Sequence, residues 1–107
     1  MGIKDFRSQS LLVTEPPLNM QNIQDLYNEL VFEKFGFMDY VRCPTSTLTM
    51  NAHRKINKSF SPHDVCLVID SGYSFTHVTP IFNGIPISSG IKRINVGGKF
   101  LTNYLKV

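Results

Sequence analysis

A chain of 107 residues is long enough for one domain at most, and it can equally be a piece of a larger domain. Its 42% hydrophobic fraction, which includes eight phenylalanines and four tyrosines, is enough for a core and argues against intrinsic disorder. The 11 basic and 8 acidic residues leave a net charge of +3, which is too small by itself to indicate nucleic-acid binding.

The two cysteines, Cys43 and Cys66, form no closely spaced pair, and the three histidines are isolated from one another, so no disulfide framework or metal-ligand pair is indicated. Isolated thiols are typical of proteins in a reducing compartment, the cytosol or the nucleus. The first residues lack the apolar segment of a secretory signal, and no apolar run is long enough to span a bilayer. We therefore expect no membrane partner.

Hydrophobic periodicity predicts an α/β order of strand, helix, strand, helix, three strands and helix. The predicted strands are residues 11–15, 37–43, 65–69, 75–81 and 85–95, and the predicted helices begin after Asn19, at Thr45 or Ser46, and at Gly98. The first helix is the best defined, because Asn19 can cap it and Gly36 can end it. Its apolar stripe consists of Ile23, Leu26, Tyr27, Leu30 and Val31.

Three features of the second half lead to further predictions. The continuous apolar run at residues 65–69 is typical of a strand that is covered on both faces. After a turn at residues 70–72, alternating apolar and polar positions predict a hairpin partner. In the last helix we expect three side chains to face inward, namely Leu101, Tyr104 and Leu105.

Asp70 is the first candidate for a functional residue, because it directly follows a buried strand. Strand ends open into the crevices where α/β folds bind ligands, so its carboxylate could hold a hydrated magnesium ion or orient a water at a terminal phosphate. The alternative is structural: an Asx-turn in which Asp70 accepts the N–H of Gly72. Spacing alone favours the structural role.

Two other motifs are ambiguous. Gly97 and Gly98 precede a helix, where backbone N–H groups could approach an anion, but a tight strand-to-helix turn explains the pair equally well. The basic cluster at residues 53–55, with Lys58, could contact nucleic-acid phosphates, although it lacks interleaved aromatic residues and is predicted to lie on a solvated loop.

Several segments together resemble the actin family. Residues 12–19, Leu-Val-Thr-Glu-Pro-Pro-Leu-Asn, are similar to the Leu-Thr-Glu-Ala-Pro-Leu-Asn segment of actins, and residues 32–35 are similar to the Phe-Glu-x-Phe of the helix that follows it. Residues 69–72, Ile-Asp-Ser-Gly, with Thr-His and Pro downstream, resemble the second phosphate-binding hairpin of the superfamily of actin, hexokinase and heat-shock chaperones. Residues 93–105 resemble the actin run that leads into the next helix. Within the actin family, these segments are most similar in sequence to those of a nuclear branch of actin-related proteins.

The resemblance implies part of an actin-like, ribonuclease-H-like α/β fold, with a mixed sheet and flanking helices. It covers residues 11–107 as a partial actin-like domain, and residues 1–10 show no match. It implies a degenerate nucleotide site in which Asp70 acts toward the metal water and terminal phosphate, Gly72 contacts phosphate through its backbone, and Gly98 approaches the adenosine.

Three positions depart from the actin pattern. Tyr73 replaces an acidic residue of the hairpin, and Ser74 replaces a glycine. Pro44 replaces the glutamine that positions a water, and proline has neither a side-chain amide nor an N–H group. These departures predict that efficient hydrolysis is lost and that the protein is not an enzyme.

The resemblance further implies a scaffold subunit of a nuclear chromatin-remodelling complex that exchanges a histone variant into nucleosomes. Its partners would be other subunits of that complex, with nucleosomes or histones contacted indirectly and no small-molecule substrate. The expected location is the nucleus, with the cytoplasm also open.

No cofactor is expected for this chain alone, because the first phosphate loop and the opposite wall of the cleft have no counterpart in it, and a phosphate clamp needs both. ATP with magnesium remains open for a full-length protein. Two alternatives to the scaffold role also stay open: a nucleotide-binding ATPase of the actin superfamily, and a truncated product without independent activity.

Overall fold

The computed structural model describes residues 5–59, 61 and 63–106, which divide into one unit that ends at Pro44 and a second that begins at Thr45. The first unit contains β1 (Ser10–Glu15), α1 (Gln21–Glu29), a π-helical segment (Leu30–Phe35) and β2 (Asp39–Pro44). The second contains α2 (Thr45–Ile56), β3 (Val65–Ser71), β4 (Thr76–Phe82), β5 (Ile85–Pro86), a 3₁₀ turn (Ser88–Gly90), β6 (Lys92–Ile94) and α3 (Gly98–Tyr104). The predicted α/β class is confirmed, and the order of elements agrees with the prediction except within residues 85–95. None of the helices in the described ranges is both long and apolar enough to cross a membrane.

The first unit is a strand–helix–strand arrangement in which β1 and β2 pair in parallel, from Ser10 opposite Asp39 to Glu15 opposite Pro44. A parallel pair needs a crossover connection, which α1 and the π-helical segment provide. The predicted cap at Asn19 is wrong by one residue. The capping position is Met20, and the Asn19 side chain bonds elsewhere: its Oδ1 accepts the Met20 N–H at 3.1 Å and its Nδ2 donates to Glu15 Oε2 at 3.2 Å.

The apolar stripe of the first helix is only partly buried. Val31 is 2% exposed, whereas Leu26 is 60% exposed and Leu30 remains 39% exposed. The described residues of this unit present a sheet of only two strands, which is too narrow to cover a whole helix face. The periodicity therefore identified the helix correctly but overestimated its burial.

Gly36 ends the π-helical segment in the left-handed region, with φ of 69°, as its predicted role requires. We expect Gly36→Ala to lower the free energy of unfolding by about 1 kcal/mol, because an alanine strains this backbone conformation. Steric contact contributes little, since the nearest atom to an added Cβ is Arg7 Cγ at 3.9 Å. Denaturant unfolding followed by circular dichroism measures the change. Gly36→Asn is the control and should cost less, because asparagine tolerates the left-handed region; an equal loss in both variants would contradict the explanation.

The second unit is a four-stranded antiparallel arrangement centred on β4. One edge of β4 pairs with β3, from Ser71 opposite Thr76 to Val65 opposite Phe82. The other pairings of β4 are with β5 and β6. The link from β4 to β5 is the Asn83-Gly84 turn, in which φ is 53° and 79° for the two residues, the positive values of a type I′ hairpin.

The core of the second unit lies on one face of β4. His77, Thr79 and Ile81 are 9%, 1% and 0% exposed, and they alternate with the half-buried Thr76 and Val78. This is the period of two that the sequence predicted for the hairpin partner.

The third strand predicted for residues 85–95 is wrong as a single element, since a 3₁₀ turn divides it into β5 and β6. The cause is Pro80 in the centre of β4, which has no N–H for the ladder and needs room for its ring. Gly90 provides that room, because a Cβ there would lie 2.7 Å from Pro80 Cγ. The Ile87 N–H still donates to the Pro80 carbonyl at 2.9 Å.

Two burial predictions for the second unit are also wrong. β3 is not covered on both faces: Val65, Leu67 and Ile69 are 60–70% exposed. The side chains expected to face inward from α3 are exposed as well, Leu101 by 52% and both Tyr104 and Leu105 by 78%. Apolar patterning marks a face that can be buried, but the described elements of this unit do not supply a covering layer.

Candidate functional site

The candidate site is the β3–β4 hairpin, and Asp70 lies one residue before the end of β3. The Asx-turn interpretation is wrong, because the Gly72 N–H donates to the Phe75 carbonyl at 2.9 Å rather than to the aspartate. The Asp70 carboxylate instead accepts the Thr45 hydroxyl, at 3.2 Å between Thr45 Oγ1 and Asp70 Oδ2. Asp70 is exposed and Thr45 is half-buried, so the carboxylate remains open to solvent.

Thr45 is a further residue of the candidate site. From the sequence it was predicted only as a possible start of a helix. It begins α2, and its hydroxyl fixes one oxygen of Asp70 while the other has no hydrogen-bond partner among the described residues. A carboxylate oxygen held by a hydroxyl on one side and open on the other is suited to a hydrated divalent cation. The sequence feature that could have identified Thr45 is a hydroxyl-bearing residue directly after the end of a strand.

The hairpin tip, defined as residues 72–75, presents backbone donors. Among the described residues, the N–H groups of Tyr73, Ser74 and Phe75 have no protein acceptor. The Tyr73 side chain is 70% exposed, so the phenol extends into solvent rather than into the unit. Ser74 fits the turn without strain, because left-handed backbone among the described non-glycine residues occurs at Leu18 and Asn83.

The start of α3 contacts this tip directly. The Gly98 N–H donates to the Gly72 carbonyl, and the Lys99 N–H donates to the Tyr73 carbonyl, both at 2.9 Å. The structure thus brings Gly72 and Gly98, two of the predicted site residues, together. The first two N–H groups of α3 are therefore occupied by protein acceptors, whereas those of residues 73–75 at the tip are open.

A hydroxyl pair and a cation–π contact support the base of the tip. Thr76 Oγ1 donates to the Val96 carbonyl at 2.6 Å, so the only hydroxyl proton of Thr76 is used. The Ser71 hydroxyl, 3.1 Å away, must then donate to Thr76 Oγ1. Arg93 Cζ lies 4.8 Å from the centroid of the Phe75 ring, within the range of a cation–π interaction.

Pro44 is the last residue of β2 and pairs with Glu15. It lacks the amide and the N–H group that could hold a water, whatever its surroundings.

The first unit also contains a polar cavity of about 550 Å³ lined by Glu15, Asn28, Phe32, Tyr40, Val41 and Arg42. Burial raises the pKa of Tyr40 above its ordinary value of 10.0, while Arg42 acts in the opposite direction. None of these residues was a predicted site residue.

Residues 53–55 of the basic cluster lie on a helix rather than on a loop, which corrects that part of the prediction, and Lys58 follows the helix. His53, Arg54 and Lys55 occupy the last turn of α2, where positive charge interacts favourably with the helix dipole. That interaction gives the cluster a structural role without nucleic acid. The described part of the chain also contains no group of three His, Cys, Asp or Glu side chains placed to hold a metal ion.

Comparison with known proteins matches residues 4–107 to the actin family model. "Actin-like protein ARP6" of Cryptococcus neoformans is 45% identical over 91% of this chain, and "Actin-related protein 6" of Arabidopsis thaliana is 44% identical over 92%. "Actin-related protein 6" of Neurospora crassa is 43% identical over 89%. The chain spans only 20%, 24% and 23% of the length of these relatives.

These matches confirm the resemblance that the sequence segments indicated, including its closeness to proteins named actin-related protein 6. They also agree with the mixed strand pairing and flanking helices of the two units. The chain belongs to the actin family, as a partial-length copy with an α/β, actin-like fold.

Proposed function

We propose that this chain is part of a non-catalytic, actin-related scaffold subunit of a nuclear chromatin-remodelling complex that exchanges a histone variant into nucleosomes. The observation that carries the proposal is that residues which act in hydrolysis in actins are replaced in this chain, one in the hairpin and one at the end of β2. Tyr73 places an exposed phenol at the tip where actins have a carboxylate, and Pro44 removes a water-positioning amide. A fold that keeps the frame of a nucleotide site without these groups is suited to assembly rather than to turnover.

The partners that fit this role are other subunits of the complex, with nucleosomes or histones contacted through them. The proposed location is the nucleus. Large apolar side chains remain exposed on both units, such as Phe32 at 49% and Leu67 at 60%. Exposed apolar surface of this kind supports the proposal that the protein functions in contact with other chains or with further segments of its own fold.

A nucleotide-binding ATPase of the actin superfamily is the second candidate. The retained Asp70 carboxylate favours it, together with the three open N–H groups at the hairpin tip. These residues fit one side of a phosphate–metal site: the carboxylate would hold a water of a magnesium ion, and the N–H groups would donate to phosphate oxygens. The other side has no counterpart among the described residues, so this chain alone should not bind ATP tightly.

The Asp70→Asn variant separates the two candidates. Asparagine keeps an oxygen that can accept the Thr45 hydroxyl but removes the charge that a magnesium site requires. In nuclei that lack the protein, we expect the wild-type and Asp70→Asn forms to restore histone-variant exchange equally, measured by incorporation of the labelled variant into chromatin. Loss of exchange in Asp70→Asn, with both forms equally abundant, would favour the ATPase.

A failure of both forms to restore exchange would instead support a truncated product without independent activity. The matched control is Asp64→Asn, which changes the same charge on an exposed residue before β3 whose bonds among the described residues are to the nearby Ser61. If this control also lowers exchange, the loss reports general charge or folding rather than a metal site.

A further inference from the structure

We propose that Gly97 is a positioning residue that holds the hairpin tip, residues 72–75, on the first turn of α3. Gly97 and Gly98 form one motif in the sequence, but the structure separates their roles. Gly98 forms a hydrogen bond to the tip, whereas Gly97 is the position whose missing side chain allows the tip to come close enough.

The distances at Gly97 leave no space for any side chain. A Cβ there would lie 2.5 Å from the Tyr73 carbonyl oxygen, 2.6 Å from the Gly72 carbonyl oxygen and 2.7 Å from the Tyr73 carbonyl carbon. All three are backbone atoms, which cannot rotate away as the end of a flexible side chain can. Gly97 has φ of −153°, an extended conformation open to any residue, so close approach alone requires glycine here.

Close approach at Gly97 decides which donors of the site are open. With the tip in place, the Gly98 and Lys99 N–H groups donate to the Gly72 and Tyr73 carbonyls, each at 2.9 Å. A ligand that carries acceptor oxygens therefore meets the N–H groups of residues 73–75 instead of the start of α3. If the tip is displaced, Gly98 and Lys99 lose their acceptors and the set of open donors changes.

Gly98 provides the matched control, because it has the same residue type at the adjacent position. A Cβ at Gly98 would lie 3.8 Å from the Gly72 carbonyl oxygen and about 4 Å from atoms of Tyr73, which are ordinary van der Waals contacts. Alanine also favours a helical position relative to glycine. Gly98→Ala should therefore leave the tip bound to α3, whereas Gly97→Ala should displace it.

Amide hydrogen exchange measured by NMR on the chain tests the proposal. In the wild type, the amides of Gly98 and Lys99 should be protected. In Gly97→Ala they should exchange about tenfold faster or more, while the reference amides of Thr79 and Ile81 in β4 keep their rates. In Gly98→Ala, the Lys99 amide should stay protected. Equal exchange in the two variants, or unprotected Gly98 and Lys99 amides in the wild type, would overturn the proposal.

A second variant covers the case in which Gly97→Ala also removes protection from β4. Thr76→Val deletes the hydroxyl that donates to the Val96 carbonyl at 2.6 Å, next to Gly97, and keeps the shape of the side chain. Because this bond ties the base of the tip to the segment before α3, its loss should also speed exchange of the Gly98 and Lys99 amides, by less than Gly97→Ala. Unchanged exchange at these two amides in Thr76→Val would refute the tip–helix coupling.

Discussion

Ile81→Ala is expected to lower the free energy of unfolding by about 2–5 kcal/mol, the largest effect of any single substitution considered for this chain. Ile81 is 0% exposed and lies on the central strand β4, opposite Cys66 on β3 and Pro86 on β5. Truncation removes buried carbons and leaves a cavity that strands on both sides cannot easily fill, because the backbone ladders hold them in register. Denaturant unfolding of the chain measures the loss.

Ile69→Ala is the control for this prediction. Ile69 lies on the neighbouring strand β3, pairs with Val78 and has the same side chain, but it is 64% exposed. The same truncation there removes little buried surface, so we expect a change within about 0.5 kcal/mol. A comparable loss in both variants would mean that the exposed face of β3 is covered in solution, which would place the core of this unit differently.

The contrast between these two isoleucines shows which parts of the fold the sequence could predict. The period of two along β4 depends on local alternation, and the buried face at His77, Thr79 and Ile81 follows from it. The exposed Ile69 belongs to a run that is apolar at every position, so the pattern contains no information on which face is covered. Covering a face depends on distant elements, and residue order alone does not reveal them.

The candidate site shows the same division. Asp70 and Gly72 could be selected because they follow an apolar run and resemble the actin hairpin, yet their surroundings were predicted incorrectly or not at all. The bond from Thr45 to Asp70 spans 25 positions of the chain, and the close approach of Gly97 to Tyr73 spans a similar separation. Contacts of this length depend on strand register and on the tilt of a helix, which single-sequence patterns do not determine.

The altered residues and the tip–helix contact lead to a consistent interpretation of the site. A phosphate-binding turn must present several donors in a fixed geometry, and the bonds from Gly98 and Lys99 to the tip maintain such a geometry. Hydrolysis additionally needs groups that orient a water, and Pro44 cannot supply one. A tip with fixed geometry and no group that orients a water is what the scaffold role proposed above requires, because the tip still shapes the surface around it.

A second large effect is expected in the opposite direction, at Ser46. This serine lies in the first turn of α2 and is 2% exposed, and among the described residues its hydroxyl has no hydrogen-bond partner. A buried hydroxyl without a partner has lost its hydrogen bonds to water and has gained none in return. We expect Ser46→Ala to raise the free energy of unfolding by about 1–2 kcal/mol, with denaturant midpoints as the measurement.

Helix propensity alone also favours alanine, so Thr49→Ala in the same helix serves as the reference. The Thr49 hydroxyl is exposed and donates to the Thr45 carbonyl at 3.0 Å, so its removal relieves no unpaired buried group. If desolvation of Ser46 is the dominant cost, Ser46→Ala must stabilise the chain more than Thr49→Ala does. A loss of stability in Ser46→Ala would show instead that the hydroxyl has an acceptor in solution. A polar contact rather than packing would then hold the start of α2. The same contact would hold Thr45 in place against Asp70.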